Sequence, residues 1–107
     1  MSGQVVVRVS VLRCKPEAFA ELSKMMLDAQ KVLAADIRKL SGLIHFYAGA
    51  DEAASSLSNV SIWRSLADAK QLDTLQPMLD LGKEFVAKGA VFERPIMNYA
   101  GLWEVVP

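Results

Sequence analysis

Pro16 to Leu40 carries the feature that most limits what this chain can fold into. Phe19, Leu22, Met26, Leu33, Ile37 and Leu40 recur at spacings of three, four and seven, which draws one apolar stripe along a helix. Ala18, Met25 and Val32 widen the stripe. Pro16 suits the first helical turn, where its missing N–H is not needed. Ser41-Gly42 ends the helix, with Gly42 suited to a left-handed residue. The flanking runs have a different texture. QVVVRVSVL, Gln4–Leu12, and LIHFYAG, Leu43–Gly49, read as strands. A helix with a single apolar stripe between two strands needs a sheet face to cover it.

The remaining elements follow the same logic. Ala50–Ser56 is small and polar, a hairpin loop. Leu57–Trp63 is a third strand. Ser65 caps a short helix over LADAKQLDTL, with Asp68 at its positive end. Pro77 starts another helix that ends near Lys88, with Gly89 as its cap. PIMNYAGLWEVV reads as a last strand. The order βαββαβ is the ferredoxin-like α+β pattern: a four-stranded antiparallel sheet with helices on one face. The other face is then bare, which predicts a homodimer joined through the sheet faces. On the first strand Val5, Val7, Val9 and Val11 form a purely apolar face, and Val6, Arg8, Ser10 and Leu12 a mixed one. The mixed face is expected on the bare side, which puts Arg8 and Ser10 at the subunit contact.

Composition narrows the function. At 107 residues the expectation is one domain, residues 1–107. Twelve basic and twelve acidic residues cancel, with no basic block, so no nucleic-acid partner is expected. The N-terminal MSGQVVVRVSVLR lacks a basic region followed by a sustained apolar stretch, so neither a signal peptide nor a membrane partner is expected. Cys14 is the one cysteine, which forms no internal disulfide and suits a reducing cytoplasm. One Cys and one His do not build a zinc cluster, and no metal site is expected.

Asn59 is the odd residue of the third strand, since asparagine is depleted in strands. Trp63 shares its face by alternation. Two readings stay open. In one, Asn59 belongs to the hairpin end and Trp63 is a core anchor. In the other, both face a cavity: the amide hydrogen-bonds a developing oxyanion, and the indole stacks on a flat aromatic. His45, the only histidine, is a candidate base, with Tyr47 on its face and Phe46 on the other. Met26 suits an adaptable apolar pocket wall. Arg8 pairs structurally or neutralises an anionic ligand.

VVVRVSVLRCKPEAFAEL, LSGLIHFYAG and SNVSIWRSLADAKQLDTL together resemble the antibiotic biosynthesis monooxygenase family, over about residues 4–105. The resemblance implies a dimeric α+β barrel, two sheets packing face to face, with a pocket inside each subunit. Its cofactor-free members that oxidise aromatic polyketides carry N-x-x-x-W on the third strand, matched here by Asn59 and Trp63. Their assisting Tyr is here Ala69, and a His carried by many members is here Leu72. Haem-degrading members carry a Trp, a His and an Asn where this chain has Leu72, roughly Gly82 and about Val9, none of which can hold iron, so haem degradation is not expected. The resemblance thus implies a cofactor-independent monooxygenase acting with dioxygen on a planar aromatic such as a quinol or anthrone. Asn59, Trp63 and His45 would be its catalytic residues, and Val9, Met26, Tyr47 and Leu72 its substrate contacts. The competing expectation is a non-catalytic dimeric small-molecule-binding or stress-response protein of the same fold.

Overall fold

The computed structural model describes residues 4–107; Met1–Gly3, the start of the N-terminal MSGQVVVRVSVLR, lie outside the described residues. Strand β1 (Val6–Arg13) leads through a 3₁₀ turn at Pro16–Ala18 into helix α1 (Phe19–Arg38). A hairpin of β2 (Leu43–Asp51) and β3 (Ser56–Trp63) follows. Helix α2 (Leu66–Lys70), a 3₁₀ turn (Gln71–Thr74) and helix α3 (Gln76–Ala87) then lead to β4 (Val91–Phe92) and β5 (Met97–Ala100). The sheet is antiparallel in the order β2-β3-β1, with β4 and β5 both along the far side of β1. This is the ferredoxin-like α+β arrangement, with the expected fourth strand in two pieces.

The split has a local cause. Leu12 pairs with Phe92 and Val9 with Met97, so the closing strand carries extra residues relative to β1. Pro95 lies among them and offers no N–H to the ladder. Regular pairing stops at Ala100, short of the Val106 expected from the sequence. Leu102, Trp103, Val105 and Val106 beyond it are exposed.

Helix α1 buries Leu22, Ala29, Leu33 and Ile37, one helical stripe, against the sheet. Gly42 turns the chain from α1 into β2 at φ +74°, and its carbonyl accepts from the Arg64 N–H at 2.9 Å. A Cβ at Gly42 would overlap the Asp68 carboxylate. Ser65 caps α2, its Oγ accepting from the Asp68 N–H at 3.1 Å.

The faces of β1 are the reverse of the expectation. Leu12 belongs to the core cluster of Leu22, Leu57 and Phe85, and Val6 packs against the cluster that holds Leu33 and Trp63, so the mixed face looks toward the helices. Arg8, on the same face, is 4% exposed. The all-valine face is the bare one. Arg8 and Ser10 are therefore inside the subunit rather than at a sheet-to-sheet contact. Among the described residues, no helix is long and apolar enough to cross a membrane.

Candidate functional site

The core under the helices is not continuous. One apolar cluster gathers around Trp63, Leu33, Ile37 and Leu72 at one end of the strands. Another gathers around Leu12, Leu22, Leu57 and Phe85 at the other. Pairing puts small and polar residues between them. Leu57 and Trp63 bracket Asn59 and Ser61 on β3; Asn59 faces Ser10 across the ladder, and Ser61 faces Arg8. On the β2 side their partners are Ala48 and Phe46. Serine and alanine side chains do not reach the helices as leucines would. A cavity of about 830 Å³ results, bounded by α1, α3 and the inner faces of β1, β2 and β3.

Its walls are apolar: Met26, Leu33 and Ile37 from α1, Phe46 from β2, Leu57 from β3 and Phe85 from α3. Its polar lining includes Arg8, Ser10, Asn59 and Ser61 on the sheet, Ser23, Gln30 and Arg38 on α1, and Asp73 on the second 3₁₀ turn. The volume exceeds what a drug-sized flat ring system requires. A shallower depression on α3, lined by Gln76, Leu79 and Lys83 among others, has no comparable polar cluster.

Asn59 stands out among the polar groups. Its Oδ1 is buried and has no hydrogen-bond partner among the described residues; the Oγ of Ser23 is in the same position. A buried carbonyl without a donor costs roughly 1–3 kcal/mol, a deficit that a ligand hydroxyl or amide answers. Arg8 is differently placed. Its Nη2 donates to Asp73 Oδ1 at 2.6 Å and its Nη1 to Asn98 Oδ1 at 3.5 Å. Among the described residues, no group of three or more His, Cys, Asp or Glu side chains is placed to hold a metal ion.

The structure brings together some of the residues singled out in the sequence and separates others. Asn59, Met26 and Leu72 line the cavity. Trp63 does not: its ring is wholly buried in the core cluster, and its indole N–H donates to Ser61 Oγ at 2.8 Å. A ring closed off and hydrogen-bonded in this way neither stacks on a ligand nor donates to one. Val9 lies on the outer face, because Arg8 and Ser10 on either side of it turn inward. His45 and Tyr47 are also among the residues lining the β2 wall of the cavity, but they pair with Ile62 and Val60, so their side chains leave the strand on the face opposite Asn59. There the imidazole stacks on the Tyr47 ring, centroids 5.8 Å apart. The imidazole thus leaves β2 on the face opposite the Asn59 amide. Arg8, expected at the subunit contact and offered as a group to neutralise an anionic ligand, lies in the cavity, and no expectation placed Ser10, Ser23 or Asp73 there. The signal available for Arg8 and Ser10 was the shared face with Leu12, an obvious core residue.

No family model matches the chain, and no curated protein matches it. Solved structures do. A "putative antibiotic biosynthesis monooxygenase" from Deinococcus radiodurans is similar over 95% of this chain and 96% of its own, at 13% identity and a TM-score of 0.71. The chain shares that fold. A second protein of the same description, from Caulobacter crescentus CB15, is similar over 86% of this chain and 87% of its own, at 18% identity and a TM-score of 0.62. A mutant of SnoaB, a cofactor-independent oxygenase from Streptomyces nogalater, is similar over 94% of this chain and 96% of its own, at 12% identity and a TM-score of 0.66. The chain thus shares the fold of these three proteins at 12–18% sequence identity.

Proposed function

We propose that residues 1–107 act as one domain with cofactor-independent monooxygenase activity on a planar, acidic aromatic such as an anthrone or quinol. The observation that carries the reading is Asn59: an amide with a buried, unpaired carbonyl on the floor of an apolar cavity of about 830 Å³. Such a substrate ionises readily, and its electron-rich anion reacts directly with dioxygen. For an anthrone, one oxygen atom becomes the new ring carbonyl. The other leaves as water with the two hydrogens lost from that carbon, so the substrate itself is the reductant. The protein excludes water around the anion; the Asn59 Oδ1 accepts from a substrate hydroxyl, and the Nδ2 N–H of the same amide donates to the anionic oxygen. Trp63 then acts indirectly, by holding the Ser61 hydroxyl in place.

A homodimer through the bare sheet faces belongs to the same proposal. The valine face of β1 and the exposed apolar residues Leu102, Trp103, Val105 and Val106 offer the surface for it.

The test is dioxygen consumption by wild type and Asn59→Ala over a panel of anthrones and quinols. Turnover in wild type that falls by about a hundredfold in the variant, the size of effect seen when an oxyanion donor is removed, is expected. Unchanged turnover in Asn59→Ala ends the assignment of Asn59. Binding of the same compounds without oxygen consumption favours the second reading, a non-catalytic dimeric binding or stress-response protein. The sealed indole of Trp63 is the observation on that side.

A further inference from the structure

We propose that Arg8 is the anion-recognition group of the cavity, so that its ligands are flat aromatics carrying an ionised oxygen, a carboxylate or an ionised phenol or enol. The inference rests on reading the cavity as a site for a flat aromatic, and it narrows that class by charge.

Arg8 sits on the central part of the sheet's inner face, 4% exposed, and lines the cavity. A guanidinium so placed loses most of its hydration and needs compensation. It has five N–H donors. Among the described residues, Asp73 and Asn98 accept from two of its nitrogens, and the Asn98 contact is long at 3.5 Å. Donor capacity is therefore left over beside the cavity.

The counter-ion is unevenly matched. The Arg8 side chain is 5% exposed and that of Asp73 is 46% exposed, on a single 3₁₀ turn. Water screens the carboxylate far more than the cation, which leaves a positive field on the cavity side. The rest of the lining strengthens it. Among the Lys, Arg, Asp and Glu residues that line the cavity there are two cations, Arg8 and Arg38, and one carboxylate, Asp73. Asn59 lies one step along β3 from Ser61, the cross-strand partner of Arg8. One flat molecule can thus place an ionised oxygen at Arg8 and a hydroxyl at the Asn59 carbonyl. A purely structural Arg8 would only pin the Gln71–Thr74 turn to the sheet, and the two roles separate experimentally.

The experiment is calorimetric titration with a matched pair of probes, 2-anthracenecarboxylate and 2-anthracenecarboxamide, without any turnover. Wild type is expected to bind the carboxylate at least about tenfold more tightly than the carboxamide, as a charge-assisted contact does over a neutral one. Arg8→Met keeps the stem and removes the charge; it should bring the two affinities to within about threefold. Arg8→Lys should retain part of the preference, because an ammonium supplies charge without the planar fork. Arg38→Gln, at an exposed lining residue, should weaken the preference far less than Arg8→Met does, because water screens its charge. Equal affinities in wild type, a preference that survives in folded Arg8→Met, or no binding of either probe at roughly 1 mM overturns the proposal. A loss of stability in Arg8→Met with the preference intact identifies the purely structural role. If Arg8→Met does not fold by circular dichroism, the wild-type ratio and Arg8→Lys decide. A preserved preference in a protein that consumes no dioxygen leaves this inference standing and removes the oxygenase reading. Turnover without a charge preference does the reverse.

Discussion

Replacing Trp63 by phenylalanine separates a core role from a ligand-contacting one. Trp63 is fully buried and its N–H bonds Ser61, itself 1% exposed. Trp63→Phe removes the pyrrole edge of the ring, worth about 1.5 kcal/mol at ~0.8 kcal/mol per CH₂-sized group. It also takes the donor from the Ser61 hydroxyl, a penalty of roughly 1–3 kcal/mol for a buried group. The sum is roughly 3 kcal/mol. Ser61→Ala alone strands the indole N–H and should cost roughly 1–3 kcal/mol for the same reason. The double variant removes both partners, so its cost should fall below the sum of the singles by about 1 kcal/mol. Urea unfolding followed by circular dichroism reads all three. With a slope of about 2 kcal/mol per molar, Trp63→Phe should lower the midpoint by about 1.5 M. At a temperature where the variant stays folded, binding of an aromatic probe in the cavity should be unchanged. An unmoved midpoint together with abolished probe binding would refute the reasoning, and so would strict additivity of the two substitutions.

Three further substitutions test other parts of the structure. Gly42→Ala forces an L side chain to φ +74° and into the Asp68 carboxylate; a loss of about 2 kcal/mol or more is expected, and a melting temperature within a degree of wild type would contradict it. Asn59→Leu replaces an unpaired buried carbonyl by an apolar group; it should gain about 1 kcal/mol and raise the melting temperature by about 4 °C while oxygen consumption falls. A lower melting temperature would mean that the amide has a partner in solution. Val9→Lys puts a charge on the bare sheet face; light scattering should give the monomer mass where wild type gives the dimer, and a dimer in the variant would move the interface elsewhere.

Periodicity made the helical half of this fold legible, and pairing kept the floor of the cavity hidden. The stripe of α1, the left-handed Gly42 and the Ser65 cap are local features, each readable within a few residues. The sheet faces are not local. An all-valine face and a mixed face on β1 favour burying the valines under the helices, if the core is continuous. Here two apolar clusters are separated by a cavity, and that gap accepts Arg8 and Ser10 while the valines are left for the bare side. A similar point explains His45. Leu43 pairs with Trp63 and His45 with Ile62, so Ile44 is an extra residue in β2. Such a bulge shifts the alternation by one and turns every later side chain to the other face. Without it His45 would share the face of Asn59; with it Phe46 does. Alternation also put Trp63 beside Asn59, correctly, but could not say that Ser61 between them would engage the indole. The polar floor of the cavity joins positions far apart in the chain, Ser10 with Asn59 and Arg8 with Ser61 and Asp73. Each looks like an isolated exception in its own strand, and only the register shows that the exceptions meet.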